Sequence, residues 1–348
     1  MVLDMNIVVL CGGLSVERDV SLTTGSKVAA ALRSKDHKSI LIDLISGYTK
    51  NYRNPVDVFS HTQSDDNFSV FENAPDLTEF KKLQAQNAGC RIGSNVIEIC
   101  KAADIVFMAL HGEDGEDGKI QAAFDLYGIK YTGTGVVGSV VAMDKAIAKK
   151  LFLQNDIQTP AGITVHVGDQ KYPEIGFPCV VKPKNGGSSI GTSIVHESTQ
   201  YREALDEAFR YEDKAIVEQY IKGRECDVGV IAGRALPVIE ICPESDFYDY
   251  KNKYQDGLAA EHCPANLPSA MTEKLQNLAL RVFAALSFEV YGRMDFIIDE
   301  NDEIWCLEGN TLPGMTNTSL LPQEAAVAGI SYEDLCELII EESLKKYK

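Results

Sequence analysis

Three short apolar runs, NIVVL, HKSILIDL and ADIVFMAL, are separated by stretches of helical texture, and this alternation narrows the available folds more than any other feature of the chain. Parallel strands need a long crossover, usually a helix, between them. Val20 to Leu32 reads as the first helix, IQAAFDLYG as another, and IKYTGTG as a short strand and turn. The first third is therefore expected to form a mostly parallel sheet with helices on its faces. The polar stretch from about Ser46 to Gln86 interrupts the rhythm and reads as a surface insertion.

Around Gly133 the texture becomes α+β. A helix is expected from about Gly138 through MDKAIAKKLFLQN, then strands at GITVHV and PCVVKP, a glycine-rich loop, and the strand GTSIV. STQYREALDEAFRY reads as a helix. Strands follow at AIVEQYI, ECDVGVIAG, ALPVIEICP, RMDFIID and EIWCLEGN, with helices at LPSAMTEKLQNLALRVFAALS and YEDLCELIIEESLKK. With 348 residues, the chain exceeds one ordinary core.

A net charge of −18 sets aside nucleic-acid and anionic-membrane partners, because like charges repel. ATP remains admissible, since a pocket can be locally positive. Nine cysteines, none in a C-x-x-C pair, read as reduced core residues of a cytoplasmic protein. The start lacks a basic region before its short apolar run and reads as a first strand rather than a signal peptide. No stretch is long enough to span a bilayer.

The segment RMDFIIDENDEIWCLEGNT carries the chemistry. If Glu300 to Glu303 is a four-residue hairpin loop, Asp299 pairs with Ile304, Asp295 lies opposite Glu308, and Arg293 opposite Asn310. Alternation puts these last four on one face and Met294, Phe296, Ile298, Trp305 and Leu307 on a core face. Two opposed carboxylates destabilise a sheet unless a cation bridges them. An Asp, Glu and Asn oxygen set suits Mg²⁺ rather than Zn²⁺. A solvated acidic hairpin edge is the alternative.

KPKNGGSSIGTS can aim backbone N–H groups and serine hydroxyls at phosphate oxygens, with Lys182 before it and Lys145 upstream as cations. It is neither a Walker loop nor a dinucleotide fingerprint, and a flexible hairpin is the plain alternative. CGGLSVERDVSL follows the first strand and opens a helix. Helix N-terminal amides attract a carboxylate and Glu17 could meet an ammonium, so this turn could hold an amino acid; simple capping by Ser15 is the alternative. His111 ends a strand near the same crevice, while HGEDGEDG reads as a plain loop. DFYDYKNKYQDG mixes aromatics with lysines and reads as a lid that excludes water, or else as a surface loop.

Taken together, GGLSVERDVSL, ALHGEDGEDGKIQ, GTGVVGSVVAMDK, VVKPKNGGSSIGTS, VEQYIKGRE, FYDYKNKY, RMDF and LEGNTLPGMTNTSLLP, in this order over nearly the whole chain, resemble the D-alanine–D-alanine ligases of the ATP-grasp superfamily. The resemblance implies a three-domain architecture of α/β and α+β type, divided here as residues 1–133 (the N-terminal parallel-sheet domain), 134–217 and 218–348. ATP would lie between the second and third. It implies that Lys145, Lys182, Ser189 and Lys253 contact ATP phosphates, and that Glu218, Tyr220, Ile221 and Glu225 bind adenine and ribose, with Phe247 on the base. Asp295, Glu308 and Asn310 would hold two Mg²⁺, with Mn²⁺ as a substitute. Glu17 and His111 would serve the first D-alanine; Arg293, Ser319, Leu320 and the Gly314 amide would serve the second and the developing oxyanion. Glu17, Ser188 and Tyr254 would form a hydrogen-bonded set joining lid and first domain.

The activity implied is ligation of two D-alanine molecules through a D-alanyl phosphate, for peptidoglycan precursor synthesis in a bacterial cytoplasm, by a homodimer. A D-alanine–D-lactate or D-serine ligase is the nearest alternative, and Tyr254 after Lys253 matches the dipeptide-forming pattern. A non-catalytic ATP sensor would be expected to lose Arg293 or a metal carboxylate. Two positions depart from the family pattern: Gly309, where a bulkier apolar residue is usual, and Gly186, where Glu is usual.

Overall fold

The computed structural model describes residues 4–60, 68, 75–169, 175–187, 189–243, 259–316 and 318–348. The first three strands are β1 (Asn6–Cys11), β2 (Lys38–Asp43) and β3 (Ile105–Met108). They pair in parallel in the order β2-β1-β3, with Ile7 beside both Ser39 and Ile105. The parallel sheet expected from the alternation is present, and its central strand is almost wholly buried, as helices on both faces require. The helices are α1 (Arg18–Ser34), α2 (Thr78–Gln86), α3 (Val96–Ala102) and α4 (Lys119–Tyr127). IKYTGTG forms only an isolated bridge, Tyr131 to Val106. The Ser46 to Gln86 stretch is not purely superficial: a 3-10 turn at Pro55–Ser60 buries Val58 and Phe59 in the first core, while α2 buries nothing.

The expected single helix after Gly138 is two helices, α5 (Val136–Met143) and α6 (Lys145–Gln154). Asp144 leaves helical geometry at φ −83° and ψ 94° and caps α6, its carboxylate accepting from the Ala146 and Ile147 N–H groups at 3.1 Å. Apolar periodicity runs through both helices and hides the break; the Asp before a good helix former is the local signal. The cap also places Lys145 as the first residue of α6.

Next comes an antiparallel sheet of β4 (Gly162–His166), β5 (Cys179–Pro183), β6 (Ser193–Val195) and β7 (Lys214–Gln219), ordered β4-β7-β5-β6 and backed by α7 (Tyr201–Ala208). The last sheet contains β8 (Gly223–Ile231), β9 (Arg234–Ala235), β10 (Ile239–Pro243), β11 (Ala259–His262), β12 (Tyr291–Asp299) and β13 (Ile304–Asn310). Its order is β11-β10-β8-β12-β13, with β9 paired to β8. Helix α8 (Ser269–Ala285) covers it, burying Leu275, Ala279 and Val282 with Phe296 and Met294.

Two helices close the chain, α9 (Leu320–Val327) and α10 (Tyr332–Leu344). Leu335, Cys336, Ile339 and Ile340 of α10 lie in the core of the N-terminal sheet, so the last helix ties the third stretch of chain back to the first. Among the described residues, no helix is long and apolar enough to cross a membrane.

Asp144 both caps α6 and accepts from Lys184 Nζ at 2.5 Å. Asp144→Ala is expected to lower unfolding stability by about 1 kcal/mol, the usual worth of an N-cap; urea denaturation checks this, and an unchanged midpoint would contradict the capping role.

Candidate active site

The hairpin β12–β13 forms the expected carboxylate pair by a different route. Its loop is three residues, Glu300 to Asp302, closed by bonds from Asp302 N–H to Asp299 C=O (3.1 Å) and from Asp299 N–H to Glu303 C=O (3.0 Å). Asp302 takes φ +62° there, the left-handed residue of a three-residue hairpin turn. Ile298, not Asp299, pairs with Ile304. A bulge between Asp295 and Phe296, with Leu307 as the additional residue, then restores the register, so Asp295 does oppose Glu308 and Arg293 does oppose Asn310.

The bulge also corrects the core face. Ile304 and Cys306 are buried with Met294, Phe296 and Ile298, whereas Leu307 lines a cavity beside Glu308 and the Trp305 indole N–H donates to Asp299 Oδ2 at 3.0 Å. Gly309 is buried on the core side. A Cβ there would lie 2.7 Å from Leu286 Cδ1 and 3.2 Å from Phe288 Cζ, so those side chains occupy the room a bulkier residue would need.

A cavity of about 430 Å³ lies between the antiparallel sheet of β4–β7 and the sheet holding β12 and β13. Lys145, Lys182, Ser189, Glu218, Tyr220, Ile221, Glu225, Asp295 and Glu308 all line it. The glycine-rich loop contributes Gly186, Gly187 and Ser189, the last at φ +57°. A smaller cavity alongside is lined by Lys145, Gly186, Gly187, Glu308 and Asn310, and adds Glu116.

Cations and carboxylates alternate across this space. Lys145 Nζ lies 3.4 Å from Glu308 and donates to the Gly186 carbonyl at 2.5 Å. Lys182 Nζ and Lys149 Nζ meet opposite oxygens of Glu218, at 2.5 and 2.7 Å. Burial works against the Lys182 charge, but Glu218 and Glu308 outweigh it and hold its pKa above the ordinary value. Burial likewise opposes the Glu218 charge and is outweighed by Lys182 and Lys149, which keep it ionised. Arg293 grips Asp295 with two donors, both at 2.9 Å, and Asn310 Nδ2 donates to Asp295 Oδ2 at 2.9 Å. An opposed pair of acids with an amide beside it is an oxygen-donor set that suits a hard divalent ion.

Glu17 sits at the N-cap of α1, buried, its own N–H bound to Ser15 Oγ at 3.1 Å. The helix begins at Arg18, earlier than Val20, and Ser15 caps no further along it. The Glu17 carboxylate abuts two glycines: a Cβ on Gly112 would come within 2.6 Å of Oε2, and one on Gly187 within 3.2 Å. The first domain therefore touches the glycine-rich loop through this carboxylate. His111 Nδ1 donates to the Leu312 carbonyl at 2.9 Å, which leaves Nε2 to accept from the Thr24 hydroxyl at 3.0 Å. Burial lowers its pKa, consistent with this neutral form.

Gly314 and Ser319 pack on each other, with Ser319 Oγ bound to the Thr316 N–H at 3.1 Å. The Leu320 side chain is buried under β10 against Ile239 and Ile241, so only its main chain is available to a ligand. None of these three lines either cavity. Ser188, Phe247, Lys253 and Tyr254 lie outside the described residues, as does the whole lid segment.

Sequence reasoning missed Glu116, Lys149, Asp227 and Glu324. Glu116, in the loop read as plain, is half-buried and accepts from the Gly112 and Leu312 N–H groups at 2.8 and 3.2 Å. Burial, then the Glu17 charge, pushes its pKa up to about 8. Its signal was the glycines on either side, which let the chain fold a carboxylate back beneath the strand end.

Family models described as D-ala D-ala ligase N-terminus and D-ala D-ala ligase C-terminus match residues 6–134 and 152–341. The D-alanine–D-alanine ligase of Pediococcus pentosaceus is 43% identical over 99% of both chains. That of Lacticaseibacillus casei is 40% identical over 99% of this chain and 97% of the other. The crystal structure of D-alanine–D-alanine ligase from Bacillus anthracis complexed with ATP superimposes with a TM-score of 0.74 at 30% identity, over 98% of each chain. The chain belongs to the D-alanine–D-alanine ligase family.

Proposed function

We propose that this protein joins two D-alanine molecules into D-alanyl-D-alanine at the expense of ATP, through a D-alanyl phosphate, in the bacterial cytoplasm as a step toward peptidoglycan precursors, and that it works as a homodimer. The observation that carries the reading is the meeting of Asp295 and Glu308 with Lys145 and Lys182 around one cavity beneath a glycine-rich loop. Neutral ligands have no use for such a density of opposed charge; a triphosphate with divalent ions matches both signs.

The roles divide by chemistry. Tyr220, Ile221 and Glu225 border the purine and ribose end, and Glu218 is fixed there by two lysines. Lys145, Lys182 and the amides around Ser189 take the phosphates, with Phe247 and Lys253 completing the nucleotide site from the lid. Asp295, Glu308 and Asn310 would hold two Mg²⁺, which when bound neutralise charge developing on the transferring phosphoryl group. Glu17 accepts the ammonium of the first D-alanine, and neutral His111 sits beside it without adding a competing positive charge. Arg293 and the Gly314 amide donate to the oxyanion formed at the acyl carbon, and the Ser319–Leu320 helix start receives the second carboxylate. Ser188 and Tyr254, with Glu17, tie the lid to the first domain and keep water from the acyl phosphate. The working domains are residues 1–133, 134–217 and 218–348.

Phosphate release with ATP and Mg²⁺ is expected with D-alanine and not with L-alanine; equal release with both isomers would refute the reading. Glu308→Gln is expected to cut turnover by about a hundredfold or more, since even outer partners of a metal site cost up to about that much, with circular dichroism unchanged. Wild-type turnover in that variant would remove Glu308 from the metal site.

A further inference from the structure

Arg293 is held on two sides. Besides its paired bonds to Asp295, its Nε lies 2.9 Å from Asp227 Oδ2. Asp227 stands on β8 directly across from Asp295, so Asp227, Asp295 and Glu308 form one row over β8, β12 and β13. Asp227 is 1% exposed, and its Oδ1 has no hydrogen-bond partner among the described residues. The neighbouring buried acid, Glu324, is engaged elsewhere: both its oxygens accept from the Gly229 N–H, at 2.9 and 3.0 Å, filling the gap that β9 and β10 leave on the edge of β8.

The same Asp295 oxygens that bind Arg293 are those the functional reading gives to a divalent ion. A guanidinium and a divalent cation compete for one carboxylate, by charge and by lone pairs. Arg293 therefore needs a second carboxyl group to hold it in place when Asp295 turns to the metal. Asp227 is already in contact with its Nε and carries an open acceptor. We infer that Asp227 is a positioning residue: it retains Arg293 beside the reacting centre and draws the guanidinium off Asp295, which favours metal binding there. This rests on the ligase reading for the role of Arg293, and it adds a buried carboxylate whose influence passes entirely through that arginine.

The inference separates from simple loss of a nearby negative charge. Removing Asp227 leaves Arg293 with Asp295 as its main carboxylate, so the arginine competes harder with the metal. If Arg293 is absent, Asp227 has nothing to act through. The test is a double-mutant cycle on the full chain with a metal-binding readout. Mn²⁺ is titrated by electron paramagnetic resonance in the presence of a non-hydrolysable ATP analogue. Asp227→Asn is expected to weaken Mn²⁺ binding about tenfold, and to have no further effect in an Arg293→Ala background. In steady-state assays the same variant should lower kcat for dipeptide formation more than it changes the KM for ATP.

A loss of Mn²⁺ affinity that persists in the Arg293→Ala background would make the effect long-range electrostatics and overturn the inference, as would wild-type affinity in folded Asp227→Asn. If Asn at this position prevents folding, Asp227→Thr runs the same cycle. Folding of either variant only when Arg293→Ala is also present would support the pairing, because an uncompensated buried arginine would be the cause. Failure to fold in both backgrounds would make Asp227 structural and overturn it. Absence of Mn²⁺–nucleotide binding in the wild type would count against the functional reading itself, so the two failures are distinguishable.

Discussion

Two carboxylates face each other across the β12–β13 hairpin, and much of the molecule is arranged to tolerate that opposition. Asp295 and Glu308 lie opposite in adjacent strands, where like charges destabilise a sheet. Arg293 and Asn310 satisfy the first, and Lys145 approaches the second. Each partner has its own support. Lys145 is placed by the Asp144 cap at the start of α6, Arg293 is shared with Asp227, and the glycine-rich loop closes over the Lys145 side through the Gly186 carbonyl. A strongly acidic chain thus still gathers Lys145 and Lys182 at one cavity.

Burial raises the stakes of each ion pair. Lys149, Lys182 and Glu218 form a buried triad in which desolvation opposes all three charges and Glu218 supports both lysines; it outweighs burial at Lys182, while at Lys149 burial, with the Lys182 charge also against it, leaves the pKa below its ordinary value. The triad holds Glu218 at the cavity wall, at the end proposed for the purine, and Lys149 is itself fixed by the Thr159 hydroxyl at 3.0 Å and the Pro160 carbonyl at 2.8 Å. Rigid charge placement of this kind costs little reorganisation when a nucleotide enters. The region proposed for the amino acid is built differently: a neutral His111, an N-cap glutamate and glycines that admit close approach.

Much of this was legible in the residues, for identifiable reasons. Strand and helix alternation predicted the parallel sheet, because buried parallel strands leave nearly continuous apolar runs. The carboxylate pair was legible because alternation in a hairpin has period two. Even so, the expected register was right for the wrong reason: the loop is one residue shorter than counted, and the bulge at Leu307 returns that residue. Trp305 and Leu307 were misplaced by the same omission. The break at Asp144 escaped notice because both helices share one apolar period. Asp227, Glu324 and Lys149 were invisible because buried charges in strands and helices look like ordinary polar positions until their partners, which lie 10 to 95 residues away in the chain, are known.

A crystal of the protein grown with Mn²⁺ and a non-hydrolysable ATP analogue, with data collected for anomalous scattering, tests the central claim most directly. The account predicts anomalous peaks between Asp295, Glu308 and Asn310 and the phosphate tail. Peaks confined to other sites, with Asp295 still gripped by Arg293 in the nucleotide-bound protein, would contradict it.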